Sequence, residues 1–293
     1  MAYFNVPEID YTRYSNRQLA AVPLAVLAVA LLVLSGSFLV YGTPVPLGMD
    51  FAGGTELTVQ TTTPQSEIPA AFDEQPESVT SAGGNEYIVR FSSSDAQELR
   101  QQATDPETGL EQDGDADIVQ LTSSTSASFG QQSQQTALIG LVVAFVGMSV
   151  VAFLLFRTFV PSIAIVISAF SDLMIPLAFM RLVGIPLSLG TVAGLLMLIG
   201  YSVDSDILLN NHILRRSGDF YESTHRAMRT GVTMTVTSMA AMLVMGVTAF
   251  LFGIDLLASI GIILFVGLAA DLMNTYMLNL SLLRWYKFEG IRS

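Results

Sequence analysis

Ionisable side chains set within apolar stretches are the residues of this 293-residue chain best placed to do chemistry. Asp172 stands midway along one stretch, Asp204 and Asp206 lie in the inner half of the next, and Arg229 opens the one after. Asp271 and Asn274 lie near the middle of the last. A charge at the centre of an apolar span costs ~2.5–3.5 kcal/mol on insertion scales, so each has either a functional use or a structural one. The functional use is a relay or gate for protons or other ions. The structural use is a hydrogen-bonding group that holds helices together. Arg229, Thr233 and Thr237 recur at i, i+4 and i+8 and share one helical face, a polar stripe leading inward. The short connection 210–230 brings Asp204, Asp206 and Arg229 to similar depth, where an aspartate–arginine pair would offset part of the desolvation of both. Asp204 and Asp206 are about 200° apart on an ideal helix, so one neighbour meets only one of them, and Asp204 is the one expected to face the bundle.

Other chemistries lack their residues. Cysteine is absent, which excludes disulfides, a thiolate nucleophile and a cysteine metal site. His212 and His225 are the only histidines, too few for a histidine-rich metal centre. There is no glycine-rich phosphate loop ending in Lys-Ser/Thr, and no nucleophile–base pair is visible. The expectation is a non-enzyme with no cofactor and no metal.

Hydrophobic residues make up 51% of the chain and charged residues 13%, about half the ~25% usual in soluble domains. Mean hydropathy is +0.54. A bilayer core of ~30 Å needs about 20 apolar residues in a helix, and six stretches qualify: 20–41, 137–156, 161–180, 185–209, 231–252 and 255–283. The first is too long for a signal-peptide core and no small-x-small cleavage site follows it, so it reads as a retained helix. With the N-terminus in the cytoplasm, ten of the thirteen Lys/Arg fall inside or at the inner interface. They are Arg13, Arg17, Arg157, Arg215, Arg216, Arg226, Arg229, Arg284, Lys287 and Arg292. Both termini are then cytoplasmic and residues 42–135 lie outside. Gly190, Gly194 and Gly200 mark close contacts between helices, Asp255 an interfacial cap, and 220–229 either an interfacial amphipathic helix or a charged loop.

That outer segment carries nearly all the acidity. Residues 42–135 hold 15 Asp/Glu and 2 Lys/Arg, and the rest of the chain sums to +1. Phosphate binding needs clustered cations, so no nucleic-acid partner is expected. Acidic, lysine-poor surface fits high salt. The segment predicts a strand at 57–61, a short helix at 65–74, a hairpin of 78–80 and 86–91 around Gly83-Gly84-Asn85, a helix capped by Ser94, and a last strand at 118–121. Strand, helix, strand, strand, helix, strand is a small α+β domain of the split βαβ, ferredoxin-like kind. The Ser/Gln-rich run 123–135 reads as a hinge or stalk, or equally as a plain linker. The parts are then 1–41 (inner N-terminus and first span), 42–135 (outer domain), 136–284 (five spans) and 285–293 (cytoplasmic tail).

Gly48-Met-Asp-Phe-Ala-Gly-Gly-Thr-Glu-Leu57 resembles the Asp-Phe-x-Gly-Gly-Thr motif of the SecD/SecF protein-export family, carried here by Asp50, Phe51, Gly53, Gly54 and Thr55. Leu198-Ile-Gly-Tyr-Ser-Val-Asp204 is similar to the fourth-span Gly-Tyr-Ser stretch of its SecF branch, with Gly200, Tyr201 and Ser202 in the motif. Phe156-Arg157, Asp172 and Arg229-Thr230 also fall where that family expects them. The likeness runs in order along nearly the whole chain and points to archaeal, halophilic members. Bacterial members continue Gly-Tyr-Ser-Ile-Asn-Asp-Thr, which puts their aspartate at Ser205 here, with Asp204 and Asp206 flanking it. Their later Asp-Arg-x-Arg-Glu run is replaced by Asn211-His-Ile-Leu-Arg215. The resemblance implies a membrane subunit that joins SecD in a twelve-span assembly of the resistance-nodulation-division type. It also implies the SecY translocon, exported polypeptides and membrane lipid as partners, with a proton or other ion gradient as the drive. Asp172, Asp204, Asp206, Arg229 and Thr233 are the expected relay or gate. Two rivals remain: a half-transporter of the same superfamily exporting a small molecule or lipid with a partner chain, and an anchored binding module.

Overall fold

The computed structural model describes residues 10–107, 109–215 and 219–289. The charges of Arg216 and Arg292, counted above for orientation, lie outside these residues. The first long helix, α1 (Asn16–Tyr41), opens on a capping box. Ser15 accepts from the Gln18 amide, the Gln18 side chain accepts from the Ser15 amide, and Gly42 closes the helix in the left-handed region.

A single turn, α2 (Met49–Ala52), leads into the outer domain: β1 (Gly54–Gln60), β2 (Ser78–Gly83), β3 (Glu86–Phe91), α3 (Ala96–Ala103) and β4 (Val119–Thr125). The strands form one antiparallel sheet in the order β2-β3-β1-β4, the ferredoxin-like arrangement expected from the sequence. Alternation along β1 sends Leu57 and Val59 to one face. There they meet Val89, Phe91, Val119 and the inner side of α3, Leu99 and Ala103. The opposite face is polar, with Arg90 paired to Glu56 at 2.7 Å across β1 and β3. Three local expectations differ. Residues 65–74 hold only a 3-10 turn, Ile68–Ala71, because Pro69 follows its first residue. Asp95, not Ser94, caps α3 by accepting from the Glu98 amide. The run 123–135 is neither stalk nor linker: its first residues finish β4, and Ser126 caps the next helix.

Among the described residues, six helices are long and apolar enough to cross a membrane: α1, α4 (Ala127–Phe156), α5 (Phe159–Val183), α6 (Leu189–Arg215), α7 (Phe220–Leu251), and α8 (Asp255–Met273) continued by a π-helical run, Asn274–Asn279, and α9 (Leu280–Phe288). α5 and α6 form the centre. α4 is the least covered of the six, apolar all round and with only 6% of its most apolar window buried, as suits a helix among acyl chains. Arg157 ends it in the left-handed region at φ 53°, an uncommon conformation for a side chain with Cβ. Segment 220–229 is neither a separate interfacial helix nor a loop but the first turns of α7, capped by Asp219. Asp255 stands in the first turn of α8, where Ile254 is the capping position and makes no side-chain bond. Gly190 and Gly194 lie against α8, at Leu256 and Ile260, as the close-packing expectation has it, whereas Gly200 faces open space.

Candidate functional site: a buried cluster of carboxylates

α6 turns its buried face inward at Leu195, Leu198, Ser202, Ser205, Asp206 and Leu209, a 3.6-residue repeat. Asp206 lies on that stripe, four residues after Ser202. Asp204 falls about 200° away and is exposed. The expectation that Asp204 faces the bundle is therefore corrected: Asp206 does.

Three aspartates meet inside the bundle, one each from α5, α6 and α8. Asp172 accepts from Ser202 Oγ and from Asn274 Nδ2, both at 2.5 Å. Asp206 Oδ1 accepts from Thr275 Oγ1 at 2.9 Å and Asn279 Nδ2 at 2.7 Å. Asp271 Oδ1 accepts from Ser205 Oγ at 2.7 Å, and Thr275 Oγ1 lies 3.3 Å from it. Thr275 thus stands between two carboxylates with one proton to give. All three acids are at most 1% exposed.

Among the described residues, several polar atoms in and beside the cluster are left unpaired, including the hydroxyls of Ser168 and Ser171 on α5, with Ser168 within reach of Asp206. Asp206 Oδ2, Asp271 Oδ2, Asn274 Oδ1 and Asn279 Oδ1 are buried without a hydrogen-bond partner among the described residues. Each such atom carries a desolvation cost of about 1–3 kcal/mol. A proton bound to one carboxyl turns an acceptor into a donor and removes that oxygen's charge from a buried site. The arrangement is therefore chemically suited to taking up and releasing protons.

Three of the donors come from an unusual element. Asn274, Thr275 and Asn279 all belong to the π-helical run in the sixth span. Wider turns of this kind are rare and concentrate at functional sites. Asn274 is a candidate from the sequence and Ser205 stands out there only by its place in the family motif, whereas no motif there points to Thr275 or Asn279. Asp271, Thr275 and Asn279 recur at i, i+4 and i+8 in an otherwise apolar span, and that spacing was the available signal. Ser205, at the position where bacterial members carry aspartate, is buried and bonded to Asp271 instead.

Arg229 and Thr233 stay out of the cluster. Arg229 is exposed and makes no ion pair among the described residues, so the expected aspartate–arginine pair is absent there. Thr233 donates to Arg229 O and Thr237 to Thr233 O, both at 2.7 Å, so their hydroxyls turn back on their own helix. Of the fourth-span motif, Ser202 reaches Asp172, Tyr201 donates to Thr235 on α7 at 3.2 Å, and Gly200 is exposed. Of the outer motif, Phe51 and Thr55 are buried, and Asp50 Oδ2 accepts from the Leu189 amide that begins α6, at 3.0 Å.

Known proteins share this plan. Residues 109–289 match the family described as protein export membrane protein SecD/SecF, C-terminal, and residues 38–65 match the SecD/SecF GG motif. The chain is 64% identical to the protein-export membrane protein SecF of Haloferax volcanii and 59% identical to that of Haloquadratum walsbyi, over 99% of each chain in both cases. It is 34% identical to the one from Methanocaldococcus jannaschii over 92% of this chain and 95% of that one. The crystal structure of SecDF from Thermus thermophilus, a translocon-associated membrane protein, superposes with a TM-score of 0.70 at 18% identity. That likeness is one of fold; it takes in 98% of this chain and 40% of the SecDF chain. On the matches over most of its length, the chain belongs to the SecF branch of the SecD/SecF protein-export membrane proteins.

Proposed function

We propose that this chain is a non-enzymatic accessory subunit of the Sec translocase, paired with SecD in the cytoplasmic membrane. In this reading, ion movement through the Asp172–Asp206–Asp271 cluster drives its outer domain to act on polypeptide leaving SecY. The observation that carries it is the cluster itself: three carboxylates brought together and sealed among spans, two of them keeping an oxygen without a hydrogen-bond partner among the described residues. One charge crossing 100 mV releases ~2.3 kcal/mol, enough to bias a two-state bundle. The arginine distribution favours cytoplasmic termini and an outer domain beyond the membrane.

Pairing with SecD is supported by what lies opposite the cluster. Asp204 is exposed on α6 within a membrane span, and Arg229 is exposed on α7. Tyr201 meets Thr235, and Leu208 lies beside Gly231, which sets these two charges at neighbouring depths. Facing lipid they would each be costly; covered by a partner helix they can be paired. The SecDF chains similar in fold are covered to 40% of their length, and a SecD partner would correspond to the remainder.

The test replaces Asp172, Asp206 and Asp271 singly by Asn in cells and follows the rate of export alongside SecD copurification. Export is expected to fall about tenfold or more, since ~2.3 kcal/mol exceeds one decade, with SecD retained. Wild-type export in all three variants would defeat ion coupling. Absence of SecD from the purified wild type would defeat the pairing.

A further inference from the structure

The outer motif and the membrane cluster are joined by one short path. α6 carries Ser202, Ser205 and Asp206 into the cluster and runs unbroken back to Leu189, about 20 Å away at 1.5 Å per residue. Its first amide, on Leu189, is held by Asp50 Oδ2 at 3.0 Å. Ser188 already serves the Thr191 amide at 3.2 Å, so Asp50 takes a donor the helix leaves open, where the helix dipole favours a carboxylate. Beside it, Leu47 and Leu187 form a parallel bridge, with Gly48 N donating to Leu187 O and Leu187 N donating to Pro46 O, each at 2.7 Å.

On its other side the same segment has no slack. Gln134 of α4 donates to Phe51 O at 2.8 Å, and a Cβ added to Gly130 would lie 2.5 Å from that oxygen. Gly54, with φ +120°, opens β1, and a Cβ there would lie 2.2 Å from Phe91 O on β3. Three residues therefore separate Asp50, which grips α6, from the first residue of the sheet. Between the sheet's polar face and the outer helix ends lies a cavity of about 720 Å³, lined by Glu56, Arg90, Ile185, Leu256 and Ile262 among others. The sheet has room to tilt toward the membrane.

We propose that Asp50 is a positioning residue that ties the membrane cluster to the outer sheet, so that displacement of α6 is passed to β1 instead of being absorbed at the boundary. The proposal rests on the ion-coupled reading above and adds the route by which that coupling leaves the membrane. The role assigned to Asp50 is exerted through the α6 backbone.

The chain has no cysteine, so pairs of introduced cysteines report distances cleanly. Nitroxide pairs at Val40 with Met197 (α6) and Val40 with Ser81 (sheet), in the full chain with its partner in nanodiscs, give two distances by pulsed electron resonance. All three sites are exposed. Asp206→Asn, a fixed uncharged form, is expected to move both distances by about 2 Å, the size of shift that packed helices make. With Asp50→Ala added, the Met197 distance should still move and the Ser81 distance should not. Asp50→Asn, which keeps an acceptor oxygen, should restore the second shift. A Ser81 shift that survives Asp50→Ala overturns the proposal. If Asp206→Asn moves neither distance, the ion-coupled reading fails first and the proposal falls with it. If Asp50→Ala does not fold, Asp50→Leu in a background with Asp206 intact is scored by hydrogen exchange of residues 187–193. Faster exchange there with unchanged exchange in α5 supports the tie, and unchanged exchange in both overturns it.

Discussion

Ser202 and Thr233 are both hydroxyl residues in membrane spans, yet the structure gives them opposite weight. Ser202 is one of two donors to Asp172 among the described residues, in a site that is fully buried. Ser202→Ala should lower stability by about 1–3 kcal/mol, the cost of leaving a buried acceptor unmet. Thr233 bonds only its own helix and faces outward, so Thr233→Ala should stay within about 0.5 kcal/mol. Unfolding of the purified variants in a denaturing detergent series checks both, and equal effects would contradict the assignment. The sequence makes the set of intramembrane acids plain, because charge in an apolar span is conspicuous by itself. Which acid turns inward is a matter of helix phase. Asp206 shares its phase with Ser202, Leu198 and Leu209, but Asp204 shares one with Met197 and Gly200, and apolar residues occupy both faces of a helix in lipid. Soluble helices reveal their inner face by polarity; membrane helices hide it.

At the scale of elements, spans and strands were legible because hydropathy and period-2 alternation are strong signals. Their ends were less so. Polar first turns at Ala127 and Phe220 extend α4 and α7 beyond the apolar runs, since Ser126 and Asp219 cap them out in water. The π-helical run had no sequence signature. No proline marks it, and its backbone departs from the α-helix where Asn274, Thr275 and Asn279 reach Asp172 and Asp206. Tertiary hydrogen bonding selects the wide turn. The wide turn takes up one extra residue, so deleting Met277 is expected to close it into a regular helix with α9 left near its place. Leu283, fully buried in the native chain, should stay buried. A Leu283→Cys probe should be inert to a membrane-permeant maleimide in both the parent and the deletion. Labelling in the deletion alone would show that α9 has rotated and that the wide turn does not hold one extra residue.

For the whole molecule, charge is divided as sharply as hydropathy. Residues 42–135 carry fifteen acids and two arginines, so −13 sits on one small domain while the remaining chain is near neutral. Arg90 is engaged with Glu56, and two cations cannot neutralise fifteen carboxylates. Repulsion among like charges opposes the compact state, and salt relieves it as the screening length falls from ~10 Å at 0.1 M to ~3 Å at 1 M. The membrane spans feel little of this, because their stability lies in packing and in buried bonds that mobile ions do not reach. Hydrogen exchange of the full chain in nanodiscs should therefore show β1 and β3 losing protection at about 0.1 M salt and regaining it at molar salt, with α5 and α6 unchanged. Neutralising the exposed carboxylates with Glu107→Gln, Asp115→Asn and Asp117→Asn should lessen the salt response of the sheet without touching its core of Leu57, Val89 and Phe91. A sheet equally protected at both salt levels would mean that its apolar core outweighs the repulsion. A response shared by α5 and α6 would instead place the salt effect on the whole chain.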